Sequence, residues 1–383
     1  MMRSSYDCVI IGAGVTGLMV GYELCRKGMT DIIIVEKAYI GSGASGRNGG
    51  GVRAQWTTME NIKIAKESID RFRKLSAELG YNIWFRQGGY LFLAETESQV
   101  EALKSNVKFH NEHGVNTKFI ERDSLNEIVP ELNKDAFLAG AFNPKDGTLL
   151  PFPLLWGLRD RIIELGGEIA TRTEVKGIRV ENRRIKQVET SAGVIHTEKV
   201  LNSAGKWSST VGEMAGVKIP TKPFRHEILI TEPLEPFLDP MIVTMTNRLY
   251  MSQSMRGELI GGISDPTEVP NGSWSSSLRF AQRMSREILK LFPRLAAARI
   301  LRQWAGSYDV SPDNNPILGT VEEPEGFYLA CGYSGHGLMI SPKVGQMMAE
   351  LISMNHADPL LESFSLQRFS MGRQERKELL VIG

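Results

Sequence analysis

The sequence is poor in cysteine, in surplus charge and in long apolar runs, and each shortage closes off a class of function. Its 383 residues include only three cysteines, Cys8, Cys25 and Cys331, with no CxxC spacing. That excludes a disulfide framework and a cysteine-built zinc or iron–sulfur site, and it points to a reducing compartment. The 45 Lys and Arg against 44 Asp and Glu leave a formal net charge of +1. A nucleic-acid binder would carry a concentrated basic surplus instead. Proline (17) is scarce beside glycine (38), which favours tight turns and close backbone approaches over disorder. Cys8 to Tyr22 is free of charge with Arg3 upstream, the outline of a signal-peptide core. It is shorter than the roughly 20 residues of a membrane span, Asp7 adjoins it, and its glycines serve a turn. No targeting or transmembrane segment is expected, and the chain reads as cytoplasmic.

What is present is an ordinary core-forming composition, 42% hydrophobic and 23% charged, long enough for two domains or one bipartite fold. The first forty residues form a β-α-β pattern. A short buried strand, Asp7 to Ile11, leads through Gly12-Ala13-Gly14-Val15-Thr16-Gly17 into a helix, Leu18 to Lys27, ended by Gly28. A second strand, Asp31 to Val35, closes at Glu36. Such a unit builds doubly wound sheets.

Further along, Ile62, Ile69, Phe72 and Leu79 recur at helical spacing up to Gly80. Ser98 with Glu101, and Ser124 with Glu127, give capping-box signals. Phe152 to Leu165 and Ser277 to Leu291 read as helices. Glu168–Ala170, Val175–Val180 and Gly193–His196 read as a β-meander leading into Val200-Leu201-Asn202-Ser203-Ala204-Gly205. More strands follow from about 222 to 264, among them Glu227–Thr231. The last strand, Phe327–Ala330, precedes a helix expected to take Ser341 as N-cap and Pro342 as its first residue.

The spacing Gly12-x-Gly14-x-x-Gly17 follows a strand and opens a helix. The first glycine permits the turn, the second lets a pyrophosphate approach the backbone, and the third packs helix against sheet. Glu36, at the end of the second strand, is placed to accept a ribose hydroxyl. This context specifies dinucleotide binding without separating FAD from NAD. A second stretch, Gly41-Ser42-Gly43-Ala44-Ser45-Gly46-Arg47-Asn48-Gly49-Gly50-Gly51-Val52-Arg53, follows at once. Its small residues and hydroxyls suit the same pyrophosphate, and its interleaved Arg47, Asn48 and Arg53 exceed what a flexible linker needs.

With these residues the chain resembles the D-amino-acid-oxidase-like family of FAD-dependent oxidoreductases, in particular the β subunits of heterotetrameric sarcosine oxidases and dye-linked L-proline dehydrogenases. The resemblance runs along essentially the whole chain. It extends through Asn202-Ser203-Ala204-Gly205-Lys206-Trp207, Trp304-Ala305-Gly306 with Pro312-Asp313, and Gly332-Tyr333-Ser334-Gly335-His336-Gly337. It implies a mixed α/β fold: a Rossmann-like FAD domain of the glutathione-reductase type (1–85, 145–220 and 305–383) and an inserted antiparallel-sheet substrate domain (86–144 and 221–304). It places Gly12, Gly14, Val15, Thr16, Gly17, Glu36, Lys37 and Val175 along the adenosine half of FAD, and Ser42, Ala44 and Ser45 at the pyrophosphate. Arg47, Asn48, Gly49 and Gly50 fall along the flavin. Ala204, Gly205, Trp207 and Gly306 are further cofactor contacts, and Gly335, His336, Gly337, Leu338 and Met339 lie at the pyrimidine side of the isoalloxazine.

The implied chemistry is hydride transfer from the α carbon of an amino acid with a neutral amine, giving an imine that water hydrolyses. Orientation is most of that task. Arg53 aligns with the family's substrate-binding arginine, and a bidentate guanidinium suits a planar carboxylate; the alternative is pairing with a structural acid or with the cofactor phosphates. Tyr250 aligns near the amino-acid pocket and His226 is a further candidate, each against the alternative of a packing residue. His336 is expected to shape the flavin's surroundings. No metal site is expected.

The departures are informative. Met339 stands where monomeric sarcosine oxidases carry a carboxylate-holding lysine, and Gly306 lies near their flavin-linking cysteine, so the FAD is expected to be noncovalent. Leu259-Ile260 replaces the oxygen-activating lysine, which favours a dehydrogenase over an oxidase. Pro151 replaces the histidine that tethers FMN in sarcosine oxidase β subunits, leaving only a noncovalent FMN at an interface with an α subunit. The expected function is an FAD-dependent dehydrogenase of a secondary or N-substituted amino acid, L-proline first and sarcosine or an opine next, acting as the catalytic β subunit of a hetero-oligomer. The competing readings are a stand-alone oxidase releasing hydrogen peroxide, a 2-hydroxy acid or glycerol-phosphate dehydrogenase, and a non-catalytic flavin relay subunit.

Overall fold

The computed structural model describes residues 2–370 and 377–380. The aliphatic run Cys8–Ile11 is strand β1, and Ile32–Val35 is strand β2. They pair in parallel, Ile10 opposite Ile34, and Val200–Asn202 pairs in parallel on the other side of β1. Both faces of this sheet are covered, so its central strands carry no alternation and read as unbroken apolar stretches. The full order is Ile317–Thr320, Phe327–Cys331, Val200–Asn202, β1, β2, Glu168–Ala170, with only the first strand antiparallel.

Two expectations are corrected at this sheet. Glu168–Ala170 is not part of the meander but the parallel edge strand beside β2, returned there by the helix Pro151–Glu164. A parallel return requires such a crossover. The meander is instead Val175–Glu181, Arg184–Thr190 and Gly193–His196. Its middle strand escapes notice in the sequence because a register shift between Ile185 and Gln187 puts the two buried residues Ile185 and Val188 three apart. The bulge hides the period of two.

One face of the sheet is covered by helix α1 (Val15–Arg26) with the helices Pro151–Glu164 and Gly337–Met354, and helix α2 (Met59–Leu79) packs against those last two. Leu18, Met19, Val344 and Met348 are fully buried between them, and truncating such a residue to alanine costs about 2–5 kcal/mol. Gly345 permits the close crossing, since a Cβ there would lie 2.4 Å from Met19 Cγ. Helix α2 stops at Gly80, whose φ of 63° is left-handed.

Caps differ from expectation in three places. Ser124, expected to form a capping box with Glu127, makes no capping bond to a backbone N–H, and its hydroxyl instead donates to the Glu127 carboxylate at 3.0 Å. Thr96, not Ser98, caps the helix Glu97–Glu112 by accepting Gln99 N–H at 3.4 Å. The helix expected to begin at Pro342 begins at Gly337. Pro342 is tolerated inside it because the Leu338 carbonyl, deprived of a proline N–H, accepts the Ser341 hydroxyl at 2.9 Å.

The second large sheet has eight strands in the order Ile300–Val310, Lys222–Pro233, Glu258–Gly262, Tyr250–Gln253, Met241–Thr244, Tyr90–Ala94, Ala139–Asn143, Lys118–Glu121. All its pairings are antiparallel except Met241–Thr244 with Tyr90–Ala94. The helix Leu278–Leu291 lays Phe280, Met284, Ile288 and Leu291 into its core, and Ser277 caps it by accepting Phe280 N–H at 3.2 Å. All three cysteines are buried thiols. Among the described residues no helix is long and apolar enough to cross a membrane.

Candidate active site

The carboxyl ends of β1, β2 and Val200–Asn202 open onto a long groove, the position at which open α/β sheets bind ligands. Its floor is built from close backbone contacts. A Cβ on Gly12, whose φ is +106°, would lie 2.6 Å from the Ser203 carbonyl oxygen, and one on Gly17 would meet Gly12 O at 2.0 Å. Gly14 caps α1 without a side chain, and Ser45 Oγ accepts the Val15 N–H at 2.9 Å from across the groove. Glu36 is fixed by Ala13 N–H at 3.1 Å, Ala38 N–H at 2.9 Å and the Ser42 hydroxyl at 3.2 Å.

The groove takes in Gly12, Gly14, Val15, Thr16, Glu36, Lys37 and Val175 from the first β-α-β region. It continues past Ser42, Ala44, Ser45, Arg47 and Asn48 and past Ala204, Gly205 and Trp207. His226, Tyr250, Gly306, Gly335, Gly337 and Leu338 complete it. Gly17 lies outside the lining, behind Gly12. Lys37 stacks on the Trp207 ring at 3.3 Å, and Arg47 on Trp274 at 4.1 Å. The buried Ser307 hydroxyl lines the groove with no hydrogen-bond partner among the described residues. A side-chain-free glycine cradle, a helix N-terminus and an orphaned buried hydroxyl fit a bound dinucleotide.

A smaller cavity adjoins the groove. Asn48, Tyr250, Tyr308, Gly335 and Leu338 line both, and Gly49, Gly50, Arg53, Tyr90, Met241, His336 and Met339 belong to the cavity alone. Arg53 is 1% exposed. It donates to the backbone carbonyls of Gln55 and Leu380, and it stacks on Trp56 at 3.7 Å. It has no ion-pair partner among the described residues. Asp146, buried nearby, is engaged by Ala54 N–H, Gln55 Nε2 and Asn143 Nδ2.

The rest of the cavity wall is neutral. Burial holds the His336 imidazole well below its usual pKa, and the Arg53 charge adds to the shift. Burial likewise raises the phenols of Tyr90, Tyr250 and Tyr308. His226, one layer behind, is pulled down to about 4 by burial; its Nε2 meets Tyr250 Oη at 3.1 Å and its ring stacks on Tyr308 at 4.8 Å. Asp146 is pushed up to about 7, burial outweighing its three donors. The cavity is therefore a neutral, hydroxyl-rich space with one buried cation.

Arg53, Tyr250 and His336 thus come together around the cavity, with His226 behind them. Three lining residues were not singled out in the sequence. Tyr308 had a signal, since it follows Gly306 by two on the strand Ile300–Val310 and so shares its face. Tyr90 and Met241 had none, because only the pairing of their two strands, in register at these residues, brings them to the site.

A parallel sheet with a glycine cradle at its carboxyl edge, and an antiparallel sheet closing a cavity over the cradle's inner end, define a dinucleotide-dependent oxidoreductase. The FAD dependent oxidoreductase family (DAO) matches residues 7–351, and the chain belongs to that family. It is 31% identical to a sarcosine oxidase subunit beta from Rhodobacter capsulatus over 377 residues, covering 97% of this chain and 90% of that protein. The solved L-proline dehydrogenase from P. horikoshii superposes with a TM-score of 0.92 at 36% identity, covering 97% of this chain and 99% of that one. Glycine oxidase from Geobacillus kaustophilus superposes with a TM-score of 0.89 at 25% identity, covering 96% and 99%. The protein is an FAD-dependent oxidoreductase.

Proposed function

We propose that the protein oxidises a secondary or N-substituted amino acid, L-proline first and sarcosine or an opine next, as a dehydrogenase with noncovalently held FAD. The observation that carries this reading is Arg53, a buried guanidinium without an anionic partner among the described residues, facing a cavity beside the cofactor groove. A buried unpaired cation is costly unless a ligand supplies the opposite charge, and a carboxylate matches its fork. FAD, when bound, accepts the hydride from the carbon bearing the amine. The chain's own residues bind, orient and exclude water. Arg53 fixes the carboxylate, and Tyr250 and Tyr308 wall the substrate against the groove. With no anion lining the cavity among the described residues, an ammonium is disfavoured there, so the amine is held in the neutral form that can release hydride from its α carbon.

Met339 lines the cavity, and Arg53 is its only cation among the described residues; the Leu259-Ile260 pair lies outside the lining. This supports a dehydrogenase rather than an oxidase. The names of the relatives support a β-subunit role. So does the helix Pro151–Glu164, which packs Gly157 against Tyr81 while leaving Trp156 and Ile163 exposed at 40% and 55%; an α subunit would cover them. Any FMN near the head of that helix would be noncovalent, since Pro151 carries no nucleophile. Anaerobic bleaching of the flavin by L-proline, sarcosine, an opine and glycerol 3-phosphate in turn tests the substrate class. Bleaching by glycerol 3-phosphate alone, or by none of the four, would sink it.

A further inference from the structure

Arg53 does not hold its own orientation. One of its two hydrogen bonds is local, to the Gln55 carbonyl, but the other is to the Leu380 carbonyl, 327 positions along the chain. What brings Leu380 there is Glu378. Its side chain is fully buried, between the start of α2 and the loop around Asp313. The Glu378 carboxylate accepts the Thr57 N–H at 3.1 Å, the Thr57 hydroxyl at 2.7 Å, the Thr58 hydroxyl at 3.1 Å and Asn61 Nδ2 at 3.2 Å. Its backbone N–H donates to Asp313 O at 3.1 Å, and Arg368 braces Asp313 through two contacts of 2.8 and 2.9 Å. The neighbouring Leu379 is 65% exposed, so the apolar packing of the segment is limited to Leu380, which lies partly buried against the cluster containing Tyr90 and Phe92.

Both Arg53 and Glu378 are buried charges with no ion-pair partner among the described residues. Burial lowers the Arg53 pKa, the Glu378 charge offsets part of that shift, and no hydrogen bond joins Glu378 to the guanidinium. Neutral carbonyls take two of the five guanidinium donors. The Arg53 guanidinium lies over the Trp56 ring, and its remaining donors are left for an external anion.

We propose that residues 377–380 form a strap, anchored by Glu378, that positions Arg53 and so sets the affinity of the cavity for carboxylate ligands. Glu378 is a positioning residue. It fixes the plane of the guanidinium through the Leu380 carbonyl without taking up the donors that substrate would use. The proposal rests on the reading of Arg53 as the carboxylate clamp.

The test uses the FAD-loaded chain and two amine-free isosteres, methoxyacetate and tetrahydrofuran-2-carboxylate, titrated by their perturbation of the flavin spectrum. Glu378→Ala should raise Kd for whichever isostere binds at least tenfold. It should raise KM for the amino acid by the same factor, with kcat within about twofold and FAD content unchanged, and Glu378→Asp should recover part of the loss. A merely structural role predicts lower Tm and FAD content with an unaltered Kd per bound flavin, and that result overturns the strap. Should Glu378→Ala not fold, Glu378→Gln, which keeps the volume and loses the charge, decides by the same titration. Arg53→Lys separates the two readings. If it raises Kd while the Glu378 variants do not, the clamp stands and the strap falls. If it leaves Kd unchanged, the clamp itself falls and the strap with it.

Discussion

The groove and the cavity meet at five shared residues yet are built in opposite ways. The groove is made of backbone: Gly12, Gly14 and the Gly41–Gly51 stretch create space by lacking side chains, and the contacts that fix Glu36 are mostly to neighbouring N–H groups. The cavity is made of side chains carried to one place by remote strands, Tyr90 from one, Met241 and Tyr250 from two others, and Tyr308 from a fourth. A backbone-built site recognises what all its ligands share, such as a pyrophosphate. A side-chain-built site can be altered one residue at a time, and that is where specificity resides.

Four measurements would sharpen or break this contrast. Arg53→Met should lower kcat/KM about a thousandfold, roughly 4 kcal/mol for an unpaired buried charge partner, while the flavin absorbance per chain stays constant. A loss of FAD in that variant would mean that the two sites are not separable. Gly12→Ala should do the reverse. With φ at +106° and the Ser203 carbonyl at 2.6 Å, the added methyl should weaken FAD binding about a hundredfold, as measured by fluorescence titration of the cofactor-free chain.

The third measurement concerns pH. His226 is held to about 4 in the folded chain, against about 6.5 when unfolded. Between those values the unfolded state binds more protons, so stability is full above about pH 6.5 and declines as pH falls toward 4, by on the order of 3 kcal/mol from this group. The Tm difference between the native chain and His226→Gln should change by this amount from pH 7 to pH 4. The difference is the readout because His110 and His336, also held below their usual pKa, act in the same direction and Asp146, pushed up to about 7, acts in the opposite one. The smallest effect is expected for Tyr250→Phe. Losing one hydroxyl that faces His226 should change kcat/KM by about three- to tenfold, and a larger change would assign that phenol a part in proton movement.

The same contrast governs how much the sequence reveals. The groove was legible because Gly12-x-Gly14-x-x-Gly17 and the stretch to Arg53 are contiguous and each glycine has a local reason. The cavity was legible through a resemblance at Arg53, Tyr250, His336 and the glycine-rich stretches around Asn48 and Gly335, but not at Tyr90 or Met241, because strand pairing between distant segments leaves no local trace there. The misread elements have the same origin. Glu168–Ala170 is too short to declare its sheet, the bulge at Ile185 masks a strand, and Pro342 imitates a helix start that the Ser341 hydroxyl makes unnecessary. The Glu378 anchor is the extreme case, since nothing near Glu378 in the chain refers to Arg53.

The wall that the two sites share has a thermodynamic consequence. Asn48, Tyr250, Tyr308, Gly335 and Leu338 face both spaces, so an occupant of either is part of the boundary of the other. Their binding free energies are then coupled, and the coupling is reciprocal. A carboxylate ligand should raise the affinity for FAD by the same factor by which FAD tightens the ligand, making substrate supply a determinant of how much of the protein holds its cofactor.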